Sequence, residues 1–281
     1  MASPPTEQRP AIGGALPRYN WKVSLTVLVI LGVTGWSAWG TGFDLIELVT
    51  GTGPAERFVS EMFPPDLSAA TLQTTAVGVI ETFQMSFLGA LIGALVALPL
   101  AAIGTEAVPT VGATKGERLL RAVPYHTARF ILNMFRSVPD ILWALIFVVA
   151  LGLGPFPGTL ALAVHSAGVL GKLYSETLEA VPSRPVEALR ATGADGLGAF
   201  LFGRLPQAAS PFASLSLYQW ECNIRSATIL GFVGAGGIGQ QILISMNLFD
   251  YPKVATLVGA TVIVVLLVDR FSAAIRRRLV Y

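Results

Sequence analysis

The chain has 281 residues, of which 53% are hydrophobic and 13% charged, with a formal net charge of +2 at neutral pH. So apolar a composition sets the chain in a membrane, and its basic residues flank apolar segments instead of forming the continuous patch that a nucleic-acid-binding surface needs. Cys222 is the single cysteine, which leaves no disulfide within one chain, and His126 and His165 are too few and too far apart to suggest a metal.

Residues 1–20, rich in Pro, Ala and Gly, lack the apolar stretch of a cleavable signal and read as a disordered cytoplasmic tail. The remainder, 21–281, reads as one transmembrane domain with its core over 71–281. A spanning helix needs about 20 mostly apolar residues. Windows of that kind fall near 22–41, 75–103, 128–152, 158–181, 207–233 and 254–269. The pattern predicts an all-α polytopic helix bundle of about six transmembrane helices. The third and fifth windows carry charge in their middles, and Pro139 interrupts the third.

Lys and Arg in short loops mark the cytoplasmic side. Arg18, Lys22, Lys115, Arg118, Arg121, Arg129, Arg184, Arg190, Arg204 and Arg276 through Arg278 fall on one side, leaving only Arg57 and Lys253 on the other. Both termini are therefore expected to be cytoplasmic. The outer segments carry Asp44, Glu47, Glu56, Glu61, Asp66 and Asp250 instead.

Charges inside a membrane are costly and default to functional candidates. In chain order these are Arg136 and Asp140, with Ser137 between them, then Lys172, and then Glu221 and Arg225, with the polar Asn223 between those two. Arg136 with Asp140, Lys172 with Glu176, and Glu221 with Arg225 all have the i, i+4 spacing that lets opposite charges meet on a helix face, although Pro139 disturbs a regular helix at the first pair. Two roles follow from such pairs: an internal salt-bridge network, or a contact for a passing anion. Glu81, near the outer end of the second window, is expected to extend toward the interface. His165, among small residues, reads as a packed, hydrogen-bonded histidine.

Between the fourth and fifth windows lies a polar loop over 182–206. Pro185 suits a first helical turn, Glu187 complements the positive end of that helix, and Gly193 and Gly196 supply a flexible joint. Val186 with Leu189, then Leu197 with Phe200 and Leu201, supply apolar faces at helical spacing. Two short helices and a turn are predicted.

Two apparent nucleotide motifs fail on context. Gly234, Gly236 and Gly239 fit G-x-G-x-x-G, but here the pattern closes a membrane span instead of joining a strand to a helix. Gly171-Lys172 lacks the Ser or Thr that a phosphate-binding loop requires, Leu173 standing there instead. ATP binding by this chain is not expected, and no catalytic constellation is present.

The loop resembles the signature of the integral-membrane permeases of ABC importers: E-A-A, three residues, Gly, nine residues, then I-x-L-P. Glu187, Ala188, Gly193, Leu205 and Pro206 match at the family spacing, while Leu189 replaces the second Ala and Gly203 the Ile. Arg136 through Pro139, Ala163 through Tyr174, and Trp220 through Gly239 are similar more narrowly to phosphonate permeases. The resemblance implies a type I importer transmembrane domain in a bacterial cytoplasmic membrane. Its loop docks on a separate ATPase that holds ATP and Mg, and two ATPase copies serve two permease copies, most simply a homodimer. An extracytoplasmic phosphonate-binding protein meets the outer side, where the turn of Gly234, Gly236, Gly237 and Gly239 is expected, and no cofactor is bound by the permease itself. An ion-coupled secondary transporter or channel, and a scaffold subunit without a pathway, remain the alternatives.

Overall fold

The computed structural model describes residues 21–44, 52–105 and 115–280, which form helices and their connections, with no strand among them. The tail expected over 1–20, including Arg18, lies outside the described residues, as does Glu47.

The chain divides into two compact units, Met1–Arg57 and Phe58–Tyr281. In the first, α1 (Trp21–Gly40) has 20 residues, about 30 Å at 1.5 Å per residue, which is one hydrocarbon thickness. A short helix α2 (Thr52–Glu61) follows. The second unit starts ahead of residue 71, where the core was expected, because the segment before the next helix is tied to the far end of the chain. The Asp66 amide donates to the Pro252 carbonyl (3.1 Å) and Thr256 Oγ1 to the Asp66 carbonyl (2.7 Å).

The second unit contains α3 (Ala69–Ile103), α4 (Lys115–Ser137), α5 (Asp140–Leu151), α6 (Pro155–Ala180), α7 (Ser183–Ala191), α8 (Leu205–Leu230), α9 (Gly237–Asn247) and α10 (Tyr251–Val280). Helices α3 and α10 are long and apolar enough to cross a membrane on their own. Helix α6 is long enough, 26 residues or about 39 Å, but less apolar. Most of its surface is buried in protein, so it does not need lipid-soluble side chains all round.

Small residues make that burial possible. Gly89, Gly93, Ala97 and Ala101 recur every fourth position on one face of α3 and bring it close to α6, as small-xxx-small stripes do in membranes. A Cβ on Gly93 would lie 2.5 Å from Ser166 Cβ, and one on Gly89 2.7 Å from Leu162 Cβ. On another face of α6, Gly168 admits the backbone at Arg136 and Gly171 admits Leu132, so α4 runs antiparallel against it.

The single span expected over 128–152 is instead a broken pair, Ala122–Ser137 and Asp140–Leu151, bent by 88°. Pro139 denies the helix a donor and forces Val138 out of the helical region, and Asp140 restarts it by accepting the Ile141 amide at 2.9 Å. Just after the fifth window, at Gly234 and Gly236, the chain bends by 41° between α8 and α9.

Candidate functional site

The loop between α6 and α8 forms a compact helical turn. Helix α7 begins after Pro182, with Pro185 in its first turn, and buries Val186 (3% exposed). It ends in a Schellman motif: the Gly193 amide donates to the Arg190 carbonyl (3.0 Å) and the Ala194 amide to the Leu189 carbonyl (3.1 Å). That closure requires a left-handed residue, and Gly193 has φ +91°, a conformation that disfavours any residue with a Cβ. Asp195 then caps the next turn by accepting the Gly198 amide at 2.7 Å, and a π-helical stretch, Ala199–Arg204, runs into α8.

The two departures from the family signature face each other. A Cβ on Gly203 would lie 3.1 Å from Leu189 Cδ1 and 3.3 Å from Val186 Cγ2. The larger residue on α7 is thus matched by the smaller one across the turn, which keeps the packed volume nearly constant. Glu187, Ala188, Gly193 and Pro206 are exposed and Leu205 is half-buried, while Leu197 and Phe202 project apolar side chains (65% and 76% exposed).

The charges within the spans pair differently from the i, i+4 expectation. Arg136 is exposed and donates to Asn133 Oδ1 (3.2 Å), whereas Asp140 lies beyond the bend, so the break at Pro139 separates the two. Glu221 and Arg225 share α8, yet each meets α10. Glu221, 6% exposed, pairs with Arg276 at 2.7 Å, and Arg225 with Asp269 at 3.3 Å. Cross-helix partners win because α8 and α10 are in contact along their lengths and both carry charge on the shared face. Of the three spacings, only Lys172 with Glu176 closes within its own helix, at 3.3 Å. Ser137 is exposed at the bend. Half-buried His165 lies 3.4 Å from the Val138 carbonyl through Nδ1.

Asn223 is 1% exposed and sits in a closed triangle of hydrogen bonds, with sides of 2.9 Å to Ser166, 3.1 Å to Gln219 and 3.3 Å between Gln219 and Ser166. The triangle ties α6 to α8 beside the close approach at Gly93. Nothing in the sequence marked Gln219, and Ser166 entered only within the stretch Ala163 through Tyr174 that resembles phosphonate permeases.

The glycine turn after α8 is also built from contacts. Gly234 (φ +87°), Gly236 (φ +81°) and Gly237 (φ +73°) occupy left-handed conformations. A Cβ on Gly239 would lie 1.8 Å from the Thr228 carbonyl oxygen. The Glu81 side chain reaches this turn. Its Oε2 accepts the Gly237 amide (3.0 Å), and Thr82 Oγ1 accepts the Ile238 amide (2.9 Å). Unpaired amides at the start of α9 attract a carboxylate. The turn is thus occupied by protein groups, which removes the nucleotide reading on structural grounds as well. Among the described residues no cluster of His, Cys, Asp or Glu can hold a metal.

Asp269, Arg276, Glu81 and Gln219 are the site-forming residues that sequence reasoning did not assign. Arg276 looked like one more cytoplasmic-side charge, and Asp269 is an isolated acid in an apolar helix; only a tertiary partner gives either a role.

The chain is similar to known proteins over most of its length. The family described as binding-protein-dependent transport system inner membrane component matches residues 109–281. The phosphite transport system permease protein PtxC of Stutzerimonas stutzeri is 35% identical over 97% of this chain and 95% of its own length. The phosphate-import permease protein PhnE of Mycolicibacterium smegmatis is 33% identical over 86% of this chain and 43% of its own length. Among solved structures, an inward-facing form of the MetNI methionine ABC transporter shares the fold at a TM-score of 0.65 and 24% identity, covering 76% of this chain and 99% of that one. The helix bundle, the signature loop and these matches together show that the chain belongs to the family of binding-protein-dependent inner-membrane components, the membrane permeases of ABC importers.

Proposed function

We propose that this protein is the membrane permease of an ATP-driven importer for phosphonate or a closely related phosphorus oxyanion such as phosphite or phosphate. The observation that carries the reading is the loop of residues 182–206, a rigid, largely exposed turn with the family spacing, built to dock on another protein. In this reading Glu187, Ala188 and Gly193 enter a cleft on a separate ATPase subunit, which holds ATP and Mg, and Leu205 and Pro206 transmit its closure into α8. The permease itself performs no bond chemistry. Two copies, each with one loop, face two ATPase subunits, with both termini in the cytoplasm. Arg136, Ser137, Asp140, Lys172, Glu221 and Arg225 border the pathway or its gate, Asn223 knots α6 to α8, and the turn of Gly234, Gly236, Gly237 and Gly239 lies on the outer side, toward an extracytoplasmic binding protein.

The test is co-purification with the partner ATPase and reconstitution into liposomes, followed by uptake of phosphite and methylphosphonate. Gly193→Val should abolish coupled uptake while the protein still reaches the membrane at normal abundance, because a β-branched residue at φ +91° breaks the Schellman closure. Normal uptake by that variant would refute docking through this loop.

A further inference from the structure

Along the seam between α4 and α6 two polar ladders face each other. Arg129, Asn133 and Arg136 occupy positions i, i+4 and i+7 of α4, and Lys172, Glu176 and Glu179 occupy the same positions of α6, so each set shares one helix face. The helices run antiparallel here, with Leu132 against Gly171 and Arg136 against Gly168. The seam therefore forms a polar track from the bend at Pro139 toward the start of the docking loop. Between the ladders opens a small, partly open cleft lined by Arg129, Leu132, Asn133, Lys172, Ser175 and Glu176.

The charges around this pocket are held in place but not exhausted. Arg129 donates through Nε to the Gly104 carbonyl (2.9 Å) and through Nη2 to Glu179 (2.5 Å). A guanidinium carries five donors; these two bonds occupy two of them, and the Tyr125 ring lies against its face at 5.0 Å. Lys172 pairs with Glu176 at 3.3 Å, and an ammonium has two further hydrogens beyond the one such a contact uses. Asn133 takes the Arg136 donor on its oxygen (3.2 Å), which turns its NH2 group away from Arg136. Three cations against two carboxylates leave the track with one net positive charge.

We propose that this pocket is a subsite for a small tetrahedral phosphorus oxyanion, in which Lys172, Arg129 and the Asn133 amide bind the oxygens and Glu176 is the internal competitor that releases the anion. The assignment of that anion as cargo rests on the function proposed above. The chemistry follows from the lining: guanidinium and ammonium donors match phosphorus oxyanions, while a carboxylate already paired with Lys172 prevents tight retention. A site on a conduction path must bind well enough to be entered and weakly enough to be left. The same chemistry suits two sources, free anion in solution and the phosphate of a lipid headgroup at the membrane surface.

The experiment uses the assembled permease–ATPase complex in maltoside micelles, which contain no phosphorus. Inorganic phosphate and methylphosphonate are titrated calorimetrically, and co-purified lipid is identified by mass spectrometry. Lys172→Gln should weaken anion binding at least about tenfold, as expected for losing a charged hydrogen bond, whereas Glu176→Gln should tighten it several-fold. A folding defect cannot move the two variants in opposite directions. Anion binding with that pattern assigns the free-anion source. Phosphatidylglycerol retained by the parent complex and lost in Lys172→Gln, without anion binding, assigns the lipid source. Identical binding and identical lipid retention in all three proteins would overturn the proposal. If the parent complex binds phosphate with this pattern but reconstituted vesicles take up no phosphorus oxyanion, the subsite stands and the cargo reading fails.

Discussion

Replacing Asn223 with alanine separates an architectural from a transport role for this residue, because the structure sets the cost of the first. Asn223 is 1% exposed and supplies two sides of the Ser166–Gln219–Asn223 triangle, at 2.9 and 3.1 Å. The third side, at 3.3 Å between Gln219 and Ser166, survives the substitution, so neither remaining group is left wholly unpaired. The lost pair of hydrogen bonds costs about 1–3 kcal/mol at about 0.5–1.5 kcal/mol each. The space vacated by the carboxamide adds about 1 kcal/mol more. A total near 2–4 kcal/mol is expected, read from equilibrium unfolding of the purified subunit in mixed detergent–SDS micelles. Uptake per folded transporter should change less than about threefold, since an interaction equal in all transport states leaves the barrier between them unaltered. Stability within about 0.5 kcal/mol of the parent, the size of an ordinary surface substitution, together with a collapse of uptake, would refute the reasoning and make Asn223 a direct participant in the pathway.

Three further outcomes are expected. Gly93→Ala should cost about 1–3 kcal/mol by overpacking, since the new Cβ would lie 2.5 Å from Ser166 Cβ; the same unfolding assay checks it, and an unchanged value would mean that α3 and α6 are free to separate. Arg276→Gln leaves the buried Glu221 carboxylate without its 2.7 Å partner and should cost about 2–3 kcal/mol, toward the lower end for a buried pair because Arg276 retains some solvent contact. Adding Glu221→Gln to that variant should restore most of the loss, and a double variant less stable than Arg276→Gln alone would contradict the pairing. Asp66, outside the spans, accepts a hydrogen bond from Thr71 Oγ1 and others from the Ser68 amide (2.9 Å) and hydroxyl (3.1 Å). These bonds, the Thr71 contact foremost, lower its pKa from the usual 3.8. A depressed carboxyl pKa stabilises the fold fully above the unfolded value, and that contribution is lost as the pH falls through the folded one. The thermal midpoint should therefore fall as the pH drops below about 4, and Asp66→Asn should be less stable at neutral pH and less sensitive to acid.

Much of the docking loop was legible because its determinants are local. Pro185 opens a helix, Glu187 suits its positive end, and Gly193 and Gly196 make the joint after it, each acting within a few positions along the chain. The match of Leu189 to Gly203 was not legible, since two separate departures from a pattern become one compensating contact only when the turn folds back. The intramembrane charges divide in the same way. Lys172 and Glu176 pair as their spacing predicts because a single helix carries both. Glu221 and Arg225 have the same spacing, yet pair with Arg276 and Asp269, because a charge on a helix face shared with another helix chooses among all the charges presented there.

The sequence by itself determined that this is a polytopic helical membrane protein, that Pro139 disturbs its third apolar stretch, and which loop carries the family signature. Apolar length, proline, glycine and capping residues act over a turn or two of chain, so their effects can be read in order. Tertiary structure alone decided that α6 lies buried between α3 and α4, that Glu81 caps a helix starting at Gly237, and that Ser166, Gln219 and Asn223 form one knot. Those outcomes depend on which faces meet, and in α3 and α6 the faces that meet are built of glycine, alanine and serine, whose small side chains carry little hydropathy signal and act by letting backbones approach.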